Sequence, residues 1–145
     1  MHDPERTPRI LVAEDDPDDR MLIREAFEDS FPACELSFVT DGVELMSHLA
    51  NTVATTRSTL KQAPDLILLD LNMPLKDGRQ SLLEIRSDPE LRHLIVVVMT
   101  TSSNSDDAAF CRRHGANSYL VKPTKYTDLT SIVASLKQHW FRSSQ

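Results

Sequence analysis

The sequence predicts an α/β domain with a parallel sheet covered by helices on both faces. Three observations carry this expectation. Apolar runs are continuous rather than alternating, as strands buried on both faces require. Amphipathic helical patterns fall between them, so strand and helix alternate five times. The strong strands end in polar residues, as expected where functional groups gather at the carboxyl edge of such a sheet.

The strong strands are Ile10–Ala13, Leu66–Leu69 and Leu94–Met99, and weaker ones are Leu36–Val39 and Ser118–Val121. The first helix is expected over Pro17–Asp29, with Met21, Leu22, Ala26 and Phe27 on one side and Pro17 suited to a first turn. The second spans Asp41–Leu49, with Val43, Leu45, Met46 and Leu49 as its apolar residues. The third, Arg79–Arg86, stops before Pro89, and the fourth, Ser105–His114, ends at Gly115, a residue suited to cap it. The fifth, Tyr126–Trp140, carries Leu129, Ile132, Val133, Leu136 and Trp140 in one stripe.

Composition limits the function. The 145 residues fit one domain, and 40% hydrophobic content is enough for a core without metals or disulfides. A net charge of −6 with no basic stripe argues against nucleic-acid binding. There is no run of membrane length and no apolar leader, so a cytoplasmic protein with no membrane partner is expected. Cys34 and Cys111 read as free thiols, and the five scattered histidines lack zinc-site spacing. Five of the 22 carboxylates crowd into Glu14–Asp19. Asp16, Asp18 and Asp19 suit a helix start and its surface, because a helix N-terminus favours negative charge.

The strand ends bring Glu14, Asp15, Asp70, Thr100 and Lys122 to one edge. Acids facing each other must share protons or be neutralised by a cation. An oxygen-only set with few protein ligands suits Mg²⁺. Asp70 then reads as a nucleophile toward phosphorus, with Lys122 and the Thr100 hydroxyl holding phosphoryl oxygens.

These residues resemble the receiver domain of two-component response regulators over about residues 9–141. The match lies in Ile10–Pro17, in Asp65–Pro74 with Asp77-Gly78, in Val98–Thr100 and in Tyr119–Pro123. Asp70 precedes Thr100 by 30 positions and Lys122 by 52, typical receiver spacings. The resemblance implies a flavodoxin-like, doubly wound, five-stranded sheet in the order 2-1-3-4-5 with five helices. It implies phosphorylation of Asp70 by a histidine kinase. Mg²⁺ is then held by Glu14, Asp15, Asp70 and the backbone carbonyl of Asn72. Lys122 becomes the phosphate-binding lysine, and Thr100 and Tyr119 the switch pair, with Tyr119 turning inward after phosphorylation. A cis Lys122–Pro123 bond is common in the family.

Some features depart from the usual pattern. Glu14 stands where Asp is commoner, lengthening the reach to metal. Thr101 stands where Ala or Gly is common, and its bulk should narrow access to the phosphoryl group. The stretch Asn51–Ala63, with five Thr or Ser in thirteen residues, is longer than the usual join and reads as an extended loop or frayed helix extension. That length, with Glu14–Asp19 and Val98–Ser102, resembles the small receivers that partner phytochrome-type kinases. Residues 1–8 form a polar N-terminal segment and 142–145 a tail with no output domain. The expected protein is therefore a stand-alone response regulator acting through a downstream protein, a phosphotransfer partner or a second copy. Trp140 and Phe141 either support a homodimer or cover the core edge. The alternatives are a receiver serving a different kinase, a receiver kept only as an interaction module, and a Mg²⁺-dependent phospho-aspartate phosphatase. The last is opposed by Asn72, which stands where such an enzyme needs a second Asp.

Overall fold

The computed structural model describes residues 7–59 and 63–141, without the side chains of 53–59. The elements run β1 (Arg9–Ala13), α1 (Pro17–Ser30), β2 (Glu35–Val39), α2 (Gly42–Thr59) and β3 (Leu66–Leu69). They continue α3 (Gly78–Ser87), β4 (Ile95–Thr100), α4 (Ser105–Arg113), β5 (Ser118–Val121) and α5 (Tyr126–Trp140). All strand pairs are parallel, in the order β2-β1-β3-β4-β5, so the expected sheet is the one formed.

Strand side chains alternate faces, and here both faces are buried. Ile10, Val12, Leu66, Leu68, Val97 and Met99 meet Ile23, Ala26 and Phe27 of α1 and Leu129, Val133 and Leu136 of α5. Leu11, Ala13, Ile67, Leu69, Val96 and Val98 meet Leu45 and Leu49 of α2, Leu82 and Ile85 of α3 and Cys111 of α4. This two-sided burial explains why the central strands read as unbroken apolar runs.

Several expectations are corrected. In α1 the buried stripe is Ile23, Ala26 and Phe27, whereas Met21 and Leu22 are exposed. Val43 is likewise exposed on α2. Helix α2 does not stop at Leu49 but continues through much of the Asn51–Ala63 stretch, to Thr59. Thr52 is buried there and donates its hydroxyl to the Leu49 carbonyl at 2.7 Å, which satisfies the buried hydroxyl. Residues 60–62 of that join, with 1–6 and 142–145, lie outside the described residues. The Lys122–Pro123 bond is trans, not cis.

Gly115 caps α4 as expected. Its φ is +97°, and the Ala116 N–H bonds the Cys111 carbonyl while the Gly115 N–H bonds that of Arg112. Phe141 is buried against the Phe31 ring, 5.4 Å between centroids, so it covers the core edge. Trp140 is half-buried beside it. Among the described residues no helix is long and apolar enough to cross a membrane.

Candidate phosphoryl-acceptor site

The last rungs of the sheet place the site. The Glu14 N–H bonds the Val39 carbonyl, the Asp70 N–H bonds that of Ala13, and the Lys122 N–H bonds that of Thr100. The three side chains therefore leave β1, β3 and β5 at the same edge of the sheet with fixed backbones. Glu14 and Asp70 are buried, and Asp15 is exposed. Oxygens of Glu14, Asp15 and Asp70 all lie within 4.8 Å of one another. A purely carboxylate set of this kind fits a hard divalent cation that keeps water on its open side.

Lys122 occupies the centre. Its Nζ lies 2.6 Å from Glu14 Oε1, 2.8 Å from Asp19 Oδ2 and 3.4 Å from Asp70 Oδ2, and its side chain is 12% exposed. Burial is the largest influence on this ammonium and opposes its charge, yet the hydrogen bonds to Asp19 and Glu14 hold its pKa above the ordinary value. The Glu14 carboxyl is pushed up to about 7, first by burial and then by the charge of Asp70, against the pull of Lys122. The site is thus a pocket crowded with carboxyl groups around one ammonium.

Thr100 is fully buried at the end of β4, and its Oγ1 has no hydrogen-bond partner. A buried hydroxyl without a partner calls for a functional account. Thr101 beside it is exposed. The Tyr119 ring packs against the core on the α3–α4 side, and its hydroxyl donates to the Ser102 carbonyl at 2.9 Å. Tyr119 is therefore half-buried, with its hydroxyl tied to the β4–α4 loop. The Asn72 N–H reaches Asp70 Oδ1 at 3.3 Å.

The acid crowd divides differently from the sequence reading in one respect. Asp16 is the N-cap of α1, accepting from the N–H groups of Asp18 and Asp19. Asp19 is more than helix surface: its carboxylate contacts Lys122 across 103 residues of chain. Sequence reasoning also missed Arg20, whose guanidinium bonds the carbonyls of Glu14 at 3.0 Å and Asp15 at 2.8 Å. It missed a chain behind the β4–α4 loop as well. There Ser102 donates to Asp107, Arg79 pairs with Asp107 at 2.9 Å, and Asp77 caps α3. Asp107 is held below the usual carboxylate range by the Ser102 and Arg79 hydrogen bonds. Helix α3 approaches so closely that a Cβ on Gly78 would lie 2.3 Å from the Asp70 carbonyl oxygen, which explains glycine there. Leu75, in the loop from Asp70 to α3, has φ +69° and is 81% exposed. Such a backbone costs a non-glycine residue about 1 kcal/mol.

A doubly wound sheet with an acid pair, a central carboxylate, a hydroxyl and a lysine at one edge defines a phosphoryl-accepting signalling domain. The chain belongs to the response regulator receiver domain family, whose model matches residues 10–134. It is 37% identical over 144 residues to the response regulator Rcp1 of Synechocystis, covering 99% of this chain and 96% of Rcp1. It is also similar to the crystal structure of the phosphorylated cyanobacterial phytochrome response regulator RcpA. The TM-score there is 0.82 at 38% identity, covering 95% of this chain and 96% of that one. The Mn²⁺-bound form of Rcp1 gives 0.79 at 35% identity, covering 95% and 97%. The chain is thus a response regulator similar to those of phytochromes.

Proposed function

We propose that this protein takes a phosphoryl group from a phytochrome-type histidine kinase onto Asp70, in the cytoplasm and with Mg²⁺, and passes the signal on through protein contacts as a stand-alone regulator. The observation that carries this reading is the buried, partnerless Thr100 hydroxyl at the edge that holds Asp70 and Lys122. An Asp70 carboxylate oxygen attacks phosphorus, forming the acyl phosphate as the P–N bond of the kinase phosphohistidine breaks. The imidazole leaves as the neutral ring once its nitrogen holds a proton. Lys122 and the Thr100 hydroxyl receive the non-bridging oxygens, an arrangement of positioning and charge neutralisation. Glu14, Asp15, Asp70 and the backbone carbonyl of Asn72 would hold the Mg²⁺. When bound, that ion neutralises charge on the transferred group, and the Mn²⁺ in the Rcp1 structure supports a divalent cation here.

The phosphoryl group puts about two negative charges at the sheet edge in place of the one on the Asp70 carboxylate. Thr100 is drawn toward it, and Tyr119 with the Ser102 loop fixes the surface formed by α4, β5 and α5. That surface meets the downstream protein, a phosphotransfer partner or a second copy of the chain, biasing states that already exist. The test is phosphotransfer from the autophosphorylated kinase region of a phytochrome. Rapid transfer to wild type and none to Asp70→Asn is expected; transfer to Asp70→Asn, or none to wild type, overturns the reading.

A further inference from the structure

Lys122 has more anionic partners than phosphoryl binding needs, and one of them lies outside the cation cluster. Glu14 and Asp70 contribute oxygens to the carboxylate cluster with Asp15, all within 4.8 Å. A cation there draws on both and repels the neighbouring ammonium. Asp19 is not in that cluster, and its Oδ2 stays 2.8 Å from Lys122 Nζ. Its backbone is fixed at the start of α1 by the Asp16 cap, 3.4 Å from N–H to Oδ1. The next residue, Arg20, ties the same turn to the carbonyls of Glu14 and Asp15. The first turn of α1, the acid loop and the lysine are therefore joined as one unit.

We propose that Asp19 is a positioning residue for phosphoryl acceptance: it keeps the Lys122 ammonium beside Asp70 while the cation engages the other acids. The inference rests on the reading of Asp70 as acceptor. Geometry gives it a distinctive sign. If Asp19 were merely one more negative charge, removing it would ease the approach of an anionic phosphodonor. If it holds Lys122, removing it slows acceptance. Asp18 is the natural control, since it is exposed, carries the same charge and takes no part in the Lys122 cluster.

The experiment measures labelling rates with acetyl phosphate at saturating Mg²⁺ for wild type, Asp19→Asn, Asp19→Glu, Asp18→Asn and Asp70→Asn. Each variant is first shown to be folded by circular dichroism, and Asp19→Ser replaces Asp19→Asn if the latter does not fold. Asp19→Asn should fall at least about fivefold below Asp18→Asn, and Asp19→Glu, which restores the charge, should recover most of the loss. An Asp19→Asn rate equal to or above that of Asp18→Asn, or no recovery in Asp19→Glu, overturns the proposal. Equal labelling of wild type and Asp70→Asn would instead overturn the acceptor reading beneath it.

Discussion

Thr100→Val offers a perturbation whose sign differs between the two states of the switch. Valine has nearly the shape of threonine and suits the end of a strand, so packing in β4 is kept. What changes is a hydroxyl, fully buried and without a partner. An unsatisfied buried polar group costs about 1–3 kcal/mol, so its removal should stabilise the metal-free protein by about 1 kcal/mol, or about 3 °C in Tm for a chain of this size. On the proposed reading the same hydroxyl would donate to a charged oxygen in the phosphorylated state, a bond worth roughly 1.5–3 kcal/mol. The stabilisation gained on adding Mg²⁺ and fluoroberyllate, a phosphoryl mimic, should therefore shrink by that amount in the variant. Urea unfolding of both proteins, with and without the mimic, measures all four quantities. A metal-free variant less stable than wild type by more than about 0.5 kcal/mol would refute the claim that the hydroxyl is unpartnered. An unchanged gain from the mimic would refute its contact with the phosphoryl group.

Three further outcomes are expected. Arg86 bonds the carbonyls of Gly115, Arg92 and Leu94 and the Asn117 side chain, tying α3 to the turns flanking β4. Arg86→Ala should cost about 2–3 kcal/mol in urea unfolding, while Arg86→Lys, which keeps the charge but not the fork, should recover less than half. The Glu14 carboxyl, raised to about 7 from 4.5, stays protonated in the folded protein where the unfolded chain has ionised. Metal-free protein should therefore lose stability from this group as pH rises from 4.5 to 7; that part of the slope should be absent in Glu14→Gln and flatten in saturating Mg²⁺, as melts across that range would show. Thr101→Ala should shorten the phosphoryl lifetime severalfold by opening the approach of water, read from the decay of labelled protein.

The sequence revealed the elements where physics is local. Strands β3 and β5 and helix α5 occur over the ranges expected, because an unbroken apolar run and a regular stripe depend only on neighbours. The site was legible for the same reason: Glu14, Asp70, Thr100 and Lys122 lie at or just beyond the carboxyl ends of strands, and a parallel sheet brings those ends together. Helix α2 was underestimated because its threonine-rich second half has low intrinsic propensity, and nothing local in the sequence marks its continuation to Thr59. Met21 and Val43 show that an apolar residue near a stripe need not share its face. The Asp19–Lys122 pair and the Arg79–Asp107–Ser102 chain left no signal, since pairing over 103 or 28 positions is set by topology alone.

The central claim is that Asp70 accepts a phosphoryl group. Intact-mass measurement after incubation with Mg²⁺ and acetyl phosphate tests it most directly. Wild type should gain one phosphoryl group, stable in acid and lost in base as an acyl phosphate is, and Asp70→Ala should gain none. Equal labelling of both proteins, or none in wild type even with donor and kinase, would contradict the account.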